Sequence, residues 1–310
     1  MEANPAALPT TPSRPRAGVS LPGLGVGLGR GMVVMYLSLI VLLPLAAMTD
    51  ESLSGGLANF WNQVTTPQAL AALKLTVVAS LIVVVVNGFF GTILAWLLVR
   101  DDFPGKAAVN AVIDLPFALP TIVASLILLQ LWGPNSPLGV DIAATRAAVV
   151  VALCFVTLPF VVRAVQPLLI EMDREMEEAA ASLGAGGFTI FRRVIFPNLL
   201  PGLAAGIALA FARALGEFGS VLLFAGGLAN TEVSSIYIRK LIEIGNETGA
   251  AAVSVVLLLA SVAMLAVVTL IQRWGSRHER STATTAGAGV TVMPLSGEEP
   301  APRREDDERE

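Results

Sequence analysis

The sequence predicts an all-α polytopic membrane protein with six transmembrane helices, and three observations carry that prediction. The 310 residues are 55% hydrophobic and only 14% charged, with a mean hydropathy of +0.73. Soluble domains carry about 25% charged residues. Six stretches without a charge, 31–49, 75–99, 115–140, 147–162, 194–212 and 248–272, run 16 to 26 residues each. A helix crosses the hydrocarbon with about 20 apolar residues, so each stretch can span, the fourth with help from its flanks. Aromatic residues make up only 6%, beside 28 glycines and 19 prolines. That balance suits close-packed, locally broken helices better than a barrel with aromatic girdles. A soluble enzyme and a nucleic-acid binder are both excluded.

Residues 1–30 mix Pro, Gly, Ser and Arg without apolar periodicity and read as a disordered N-terminal tail. The glycine-rich run 23–31 precedes no strand and contains no GK[ST], so it is not a phosphate loop. The first stretch is long enough to span, and no small-residue cleavage site clearly follows it, unlike a signal peptide. In the second, Asn87 with Gly88 and Gly91 points to close helix packing and an interhelical hydrogen bond. Pro116 and Pro120 in the third stretch, and Pro159 in the fourth, free backbone carbonyls inside the membrane. Two readings fit those carbonyls equally: a lining for a translocation path, or ordinary kinks satisfied by neighbouring Ser and Thr. Cys154 is the only cysteine, a small packing residue with no disulfide partner in the chain. The membrane domain is expected over 31–275, followed by a disordered tail over 276–310.

Charge sets the orientation. With six crossings and the N-terminus inside, the inner segments hold fifteen Lys and Arg and the outer ones hold four, Lys74, Arg146, Arg239 and Lys240. The bias places both termini in the cytoplasm of a multi-pass plasma (inner) membrane protein. The longest inner loop, 164–200, predicts a helix from Arg174 to Leu183 with Met176, Ala179, Ala180 and Leu183 on one face. Gly184 can end that helix in the left-handed conformation. A second amphipathic piece then sets Phe188, Phe191 and Ile195 along one side before Pro197. Such a helix–turn–helix needs a surface to dock against. Its acidic character suits an anionic membrane surface poorly.

The segment Glu178-Ala-Ala-Ala-Ser-Leu-Gly184, followed by Val194-Ile-Phe-Pro197, resembles the EAA loop of ATP-binding-cassette (ABC) importer permeases. That motif reads EAA, three residues, Gly, nine residues, then I-x-L-P. Glu178, Ala179, Ala180, Gly184 and Pro197 fall on it, while Val194 stands for Ile and Phe196 for Leu. The stretches Asp114–Leu126, Leu158–Pro167 and Arg213–Ser220 look like the oxyanion branch of that family. With Thr231–Ser235 and Gly249–Ala252, the similarity is nearest to sulfate/thiosulfate permease subunits of the T type, over roughly 31–275. The resemblance implies the type I importer permease fold with a cytoplasmic coupling helix in the segment 171–200. It also implies partners: a second homologous permease subunit, two ABC ATPase subunits and an extracytoplasmic sulfate-binding protein. ATP and Mg would sit on the ATPases, with no cofactor in this chain. Selection among sulfate, thiosulfate, molybdate and tungstate stays open on chemistry alone, because all four are tetrahedral or near-tetrahedral dianions.

The residues agree with that assignment on independent grounds. The chain has no G-x-x-x-x-G-K-[ST], so it lacks a P-loop motor of its own and is expected not to be an enzyme. The only histidine, His278, lies in the polar tail, which removes a serine–histidine dyad and an H-E-x-x-H zinc site from the membrane. No catalytic residue and no metal site are expected; membrane lipid is an expected partner and nucleic acid is not. An ion-coupled secondary transporter is the rival reading, weakened by the lack of an evident internal repeat. Arg213 and Glu217, four apart in the fifth stretch, are expected on one helix face. A charge near the bilayer centre costs about 2.5–3.5 kcal/mol on insertion scales, so such residues find partners. They are either a mutually neutralising structural pair or, with Pro116 and Pro120, part of the translocation pathway.

Overall fold

A computed structural model describes residues 22–287. Helix α1, Pro22–Leu37, runs through a π-helical turn at Ser38–Leu42 into α2, Leu43–Leu53. The short α3, Gly56–Val64, leads to α4, Pro67–Arg100, then α5, Lys106–Ala118, α6, Thr121–Trp132, and α7, Arg146–Glu171. The short α8, Arg174–Ser182, precedes α9, Gly187–Ile190, which passes through a second π turn, Phe191–Ile195, into α10, Phe196–Leu215. The chain closes with α11, Gly219–Leu222, α12, Ser234–Glu243, and α13, Glu247–Gly287. Both π turns have the same cause. Each ends two residues before a proline, Pro44 or Pro197, whose missing N–H interrupts the ladder that the wider turn absorbs.

The centre of the molecule is the mutual packing of α4, α7 and α10. Lipid tails are as apolar as leucine, so helices here associate through close packing and interhelical hydrogen bonds rather than through the hydrophobic effect. Asn87 on α4 is buried and donates its amide to the Cys154 carbonyl (3.0 Å) and to Thr157 Oγ1 (2.9 Å) on α7. One turn on, Gly91 lies so near Val161 that a Cβ there would stand 2.9 Å from Val161 Cγ1. The expectation for Asn87, Gly88 and Gly91 therefore holds. Next to this contact on α7, a Cβ at Gly206 of α10 would meet Ala164 Cβ at 2.9 Å, the Val161 Cα at 3.1 Å and the Phe160 carbonyl oxygen at 3.2 Å. Val83, Val161, Val162, Val165 and Leu199 fill the space between these contacts and are fully buried.

The direction of these contacts fixes the topology. Asn87 pairs with Cys154 and Thr157, and Gly91 meets Val161, so α4 and α7 run parallel. Gly202 approaches Ala164 and Leu168 while Gly206 approaches Phe160, Val161 and Ala164, so α10 runs antiparallel to α7. Parallel neighbours require the intervening chain to cross back. That crossing is made by α5 and α6, which have 13 and 12 residues. Each is about 18–20 Å long at 1.5 Å per residue, too short alone for about 30 Å of hydrocarbon.

The structure revises several expected boundaries. The third span is not one helix over 115–140. It breaks at Leu119–Pro120, where both residues are extended in ψ, and ends at Trp132 before an irregular loop. Among the described residues, five helical runs are individually long and apolar enough to cross. The inner loop expected over 164–200 shrinks, because α7 continues to Glu171 and helix resumes at Gly187. Arg163 lies inside α7, neutralised by Asp114, so its charge does not end the span. At the termini, α1 starts at Pro22, a residue suited to the first turn of a helix, and α13 continues to Gly287 because no proline interrupts 272–287. The expected tails thus overlap helix at 22–30 and 276–287, while their remainders, 1–21 and 288–310, lie outside the described residues.

Candidate functional site: a coupling turn and a broken-helix site

Two places concentrate polar chemistry, one at each end of α10. At the first, Asp173 caps α8, its Oδ1 accepting from the Glu175 N–H (2.9 Å), and Glu175 and Glu177 occupy the first turn. Carboxylates there complement the positive end of the helix. The helix stops in a Schellman turn: Gly184 has φ +83°, its N–H donates to the Ala181 carbonyl (2.9 Å), and the Ala185 N–H reaches back to Ala180 (3.1 Å). The EAA segment thus forms a separate helix with a glycine-dependent exit. No residue of α8 is buried. Met176 is 46% exposed, Leu183 89% and Phe188 76%, leaving an apolar edge uncovered beside exposed Glu178 and Ala179.

One charged contact ties α8 to the core. Glu177 pairs with Arg100, the last residue of α4, whose guanidinium lies 5.5 Å over the Trp96 ring. Trp96 in turn meets Phe191 edge-on at 5.9 Å. Of the second amphipathic piece, Ile195 is buried, Phe191 packs on Trp96 and Phe188 stays exposed. Pro197 is exposed at the start of α10, just beyond the π turn.

At the other end, α10 stops at Leu215, so Arg213 and Glu217 do not share a helix face. They meet because the chain turns between them. Gly216 leaves the helix, and the Glu217 carboxylate folds back to an ion pair with Arg213. The Glu217 side chain is 1% exposed and that of Arg213 34%. Glu217 Oε1 also accepts from the Ser220 N–H (2.9 Å), and its carbonyl accepts from Ser235 Oγ (2.6 Å). The cation keeps an open side while its counter-ion is held rigidly.

This break abuts the break in the third span. A Cβ at Gly219 would fall 2.2 Å from Thr121 Oγ1 and 2.9 Å from the Ile122 nitrogen, at the start of α6. Ser125 Oγ accepts the N–H groups of Leu223 (3.1 Å) and Phe224 (2.9 Å), donors that the end of α11 leaves free. Pro120 therefore lies beside the Glu217–Gly219 turn, whereas Pro116 sits half-buried within α5, one turn earlier. Gly219 is filled by this chain's own α6 and is not an open approach for a partner helix.

The sequence did not disclose the cation network between α5 and α7. Arg163 Nε donates to Asp114 Oδ1 (2.9 Å) and Nη1 to Asn110 Oδ1 (2.9 Å), with further bonds to Asp114 Oδ2, Gln166 and the Asn110 carbonyl. The signal was present in Asp114, an acid next to an apolar stretch, but its partner is 49 residues away. Among the described residues, no group of His, Cys, Asp and Glu could hold a metal ion.

The chain is a polytopic helical protein with an exposed, glycine-capped helix between two of its spans. The family model for binding-protein-dependent transport system inner membrane components matches residues 87–280. The chain belongs to that family. The sulfate transport system permease protein CysT of Synechocystis sp. is 44% identical to it, covering 80% of this chain and 89% of that one. CysT of Escherichia coli is 41% identical, covering 83% and 95%. Among solved structures, a bacterial alginate ABC transporter superposes with a TM-score of 0.68 at 15% identity, covering 80% of this chain and 93% of that chain. An amino acid ABC transporter gives a TM-score of 0.51 at 19% identity, covering 69% and 97%. These structures bear on the fold alone.

The Arg163 clamp makes a stability prediction. Arg163→Met strands the Asp114 carboxylate, and the pair's partial exposure limits the loss to about 1 kcal/mol. The thermal midpoint of the detergent-solubilised chain should fall by about 2–4 °C and partly recover in Arg163→Met/Asp114→Asn. An unchanged midpoint in the single variant would show that the clamp contributes nothing.

Proposed function

We propose that the chain is a permease subunit of an ATP-driven importer for sulfate, with thiosulfate as a further substrate. It would form the translocation path with a second permease subunit and take its driving force from cytoplasmic ATPases that hold ATP and Mg. The observation that carries this reading is the match to sulfate permeases at 41–44% identity over about nine-tenths of their length. The uncovered edge of α8 supports it, because a pump without a P-loop needs a docking element for its motor. Glu178, Ala179, Ala180, Gly184 and Pro197 are the residues assigned to that element. An external sulfate-binding protein would deliver the anion on the opposite side. The Lys and Arg asymmetry supports placing α8 and both termini in the cytoplasm.

Arg213 would attract the dianion where the helices break. The buried Glu217 would keep it from binding too tightly, and the start of α6 presents backbone N–H groups next to the turn at Pro120. A rigid counter-ion and a half-exposed cation suit transient binding better than a closed trap.

Two measurements test the two ends separately. In cells lacking their own sulfate permease, the chain with its partners should restore uptake of labelled sulfate. Gly184→Asp should abolish that uptake while leaving the protein inserted, because a Cβ at φ +83° is strained and the new charge sits on the docking turn. Full uptake together with retained co-purification of the ATPase would remove the coupling role. At the other end, Arg213→Gln, which alters the partly exposed member and leaves the Glu217 carboxylate on the Ser220 N–H, should assemble but transport less than a tenth as fast as wild type. Wild-type uptake in that variant would leave the pair a purely structural one.

A further inference from the structure

Helix α7 begins alongside the third turn of α4, and a surface cavity of about 300 Å³ opens there between Ala71–Ile82 of α4 and Arg146–Val150 of α7. Its walls are Ala71, Leu75, Val78, Ala79, Ile82 and Val150, and two cations, Lys74 and Arg146, stand on its lining. From Lys74 to Ile82 the groove follows α4 for about 12 Å. Val78 and Ile82 are exposed at its rim, on the surface this chain turns outward between the two helices.

The charges here lack the partners that charges elsewhere in this chain have. Among the described residues Lys74 makes no ion pair or side-chain hydrogen bond, while Arg146 makes one, from Nε to the Asn230 carbonyl (3.2 Å). Arg146 is the first residue of α7, where a cation opposes the helix dipole by about 0.3–1 kcal/mol. Neither α4 nor α7 has an acidic residue in its first turn to offset this. The nearby Asp141 turns its Oδ1 to the Ala143 N–H (3.0 Å) instead, and Glu232 pairs with Lys240. The N-terminus of α7 and two cations therefore adjoin one apolar groove, and among the described residues no anion pairs with either cation.

We propose that this groove is a binding site for an anionic phospholipid. The acyl chain would lie along Leu75, Val78 and Ile82, and the phosphate would sit between Lys74 and Arg146. Charge complementarity selects the lipid over an uncharged one, and the apolar wall selects it over a free inorganic anion, which gains nothing from Val78 or Ile82. The site lies at the end of α4 away from Arg100 and α8, so it is separate from the coupling turn and would serve the leaflet on that side.

The test is native mass spectrometry of the full chain in mild detergent, titrated with dioleoylphosphatidylglycerol or dioleoylphosphatidylcholine. Phosphatidylglycerol should bind at least tenfold more tightly. Lys74→Gln/Arg146→Gln should erase that preference, and both residues are exposed, so folding is not at stake. Ala71→Trp keeps both cations but fills the groove, and it should weaken phosphatidylglycerol binding about tenfold. Equal binding of the two lipids, or an unaltered preference in the double variant, would overturn the proposal. So would displacement of phosphatidylglycerol by millimolar sulfate, which would mark an anion site without a lipid. Loss of the lipid on assembly with the second permease would assign the groove to that subunit instead, and also overturn it.

Discussion

The register of α4 against α7 is the contact on which the remaining architecture depends. Asn87 is buried among apolar side chains, and two acceptors on α7, the Cys154 carbonyl and Thr157 Oγ1, meet its amide. Interhelical hydrogen bonds of this kind contribute about 0.6 kcal/mol each in membranes, so the bond alone does not hold the pair. Its value is positional. A slip by one turn would leave the amide without its acceptors and drive the Val161 side chain against another residue instead of Gly91. The parallel arrangement that follows obliges the chain between them to cross back, which α5 and α6 do, and α10 packs into the same α4–α7 pair through Gly202 and Gly206.

Broken helices in a membrane need substitutes for the hydrogen bonds they give up. The chain supplies them from small hydroxyls and one acid. Ser125 takes the amides at the end of α11, Glu217 takes the Ser220 amide, and Thr231 Oγ1 donates to the Ala225 carbonyl (2.7 Å). The requirement that stabilises the break also brings Glu217 to Arg213, so the fold and the proposed anion path use the same residues. At its other end the helical run that contains α10 starts at Gly187, directly after the coupling turn. One run of 29 residues, about 43 Å long, therefore links the coupling turn to the break at Arg213 and Glu217.

Much of this was legible in the amino-acid order. The Gly184 cap, the helix beginning at Arg174 and the interhelical role of Asn87 each follow from local chemistry that tertiary contacts did not override. The misreadings have a shared origin. Uncharged stretches locate apolar chain but not helix ends, so 115–140 hid the break at Pro120, which is a kink or a full stop depending on what receives the freed groups. Arg163 closes the uncharged stretch 147–162, yet its pairing inside the bundle with Asp114, distant in sequence, lets α7 continue past it. Arg213 and Glu217 have helical spacing, yet Gly216 ends the helix between them and their contact arises from the turn.

The most direct test of the account is the α4–α7 register itself. In a background without Cys154, cysteines at positions 87 and 157 should be bridged efficiently by mercuric ion in native membranes, since the side chains there meet at 2.9 Å. Cysteine at 87 paired with one at 150 or 164, two turns away on the same stripe of α7, should not be bridged. Bridging of 87 to 150 or 164 in preference to 157 would contradict the register, and with it the parallel core from which the crossing of α5 and α6 and the placement of both sites were derived.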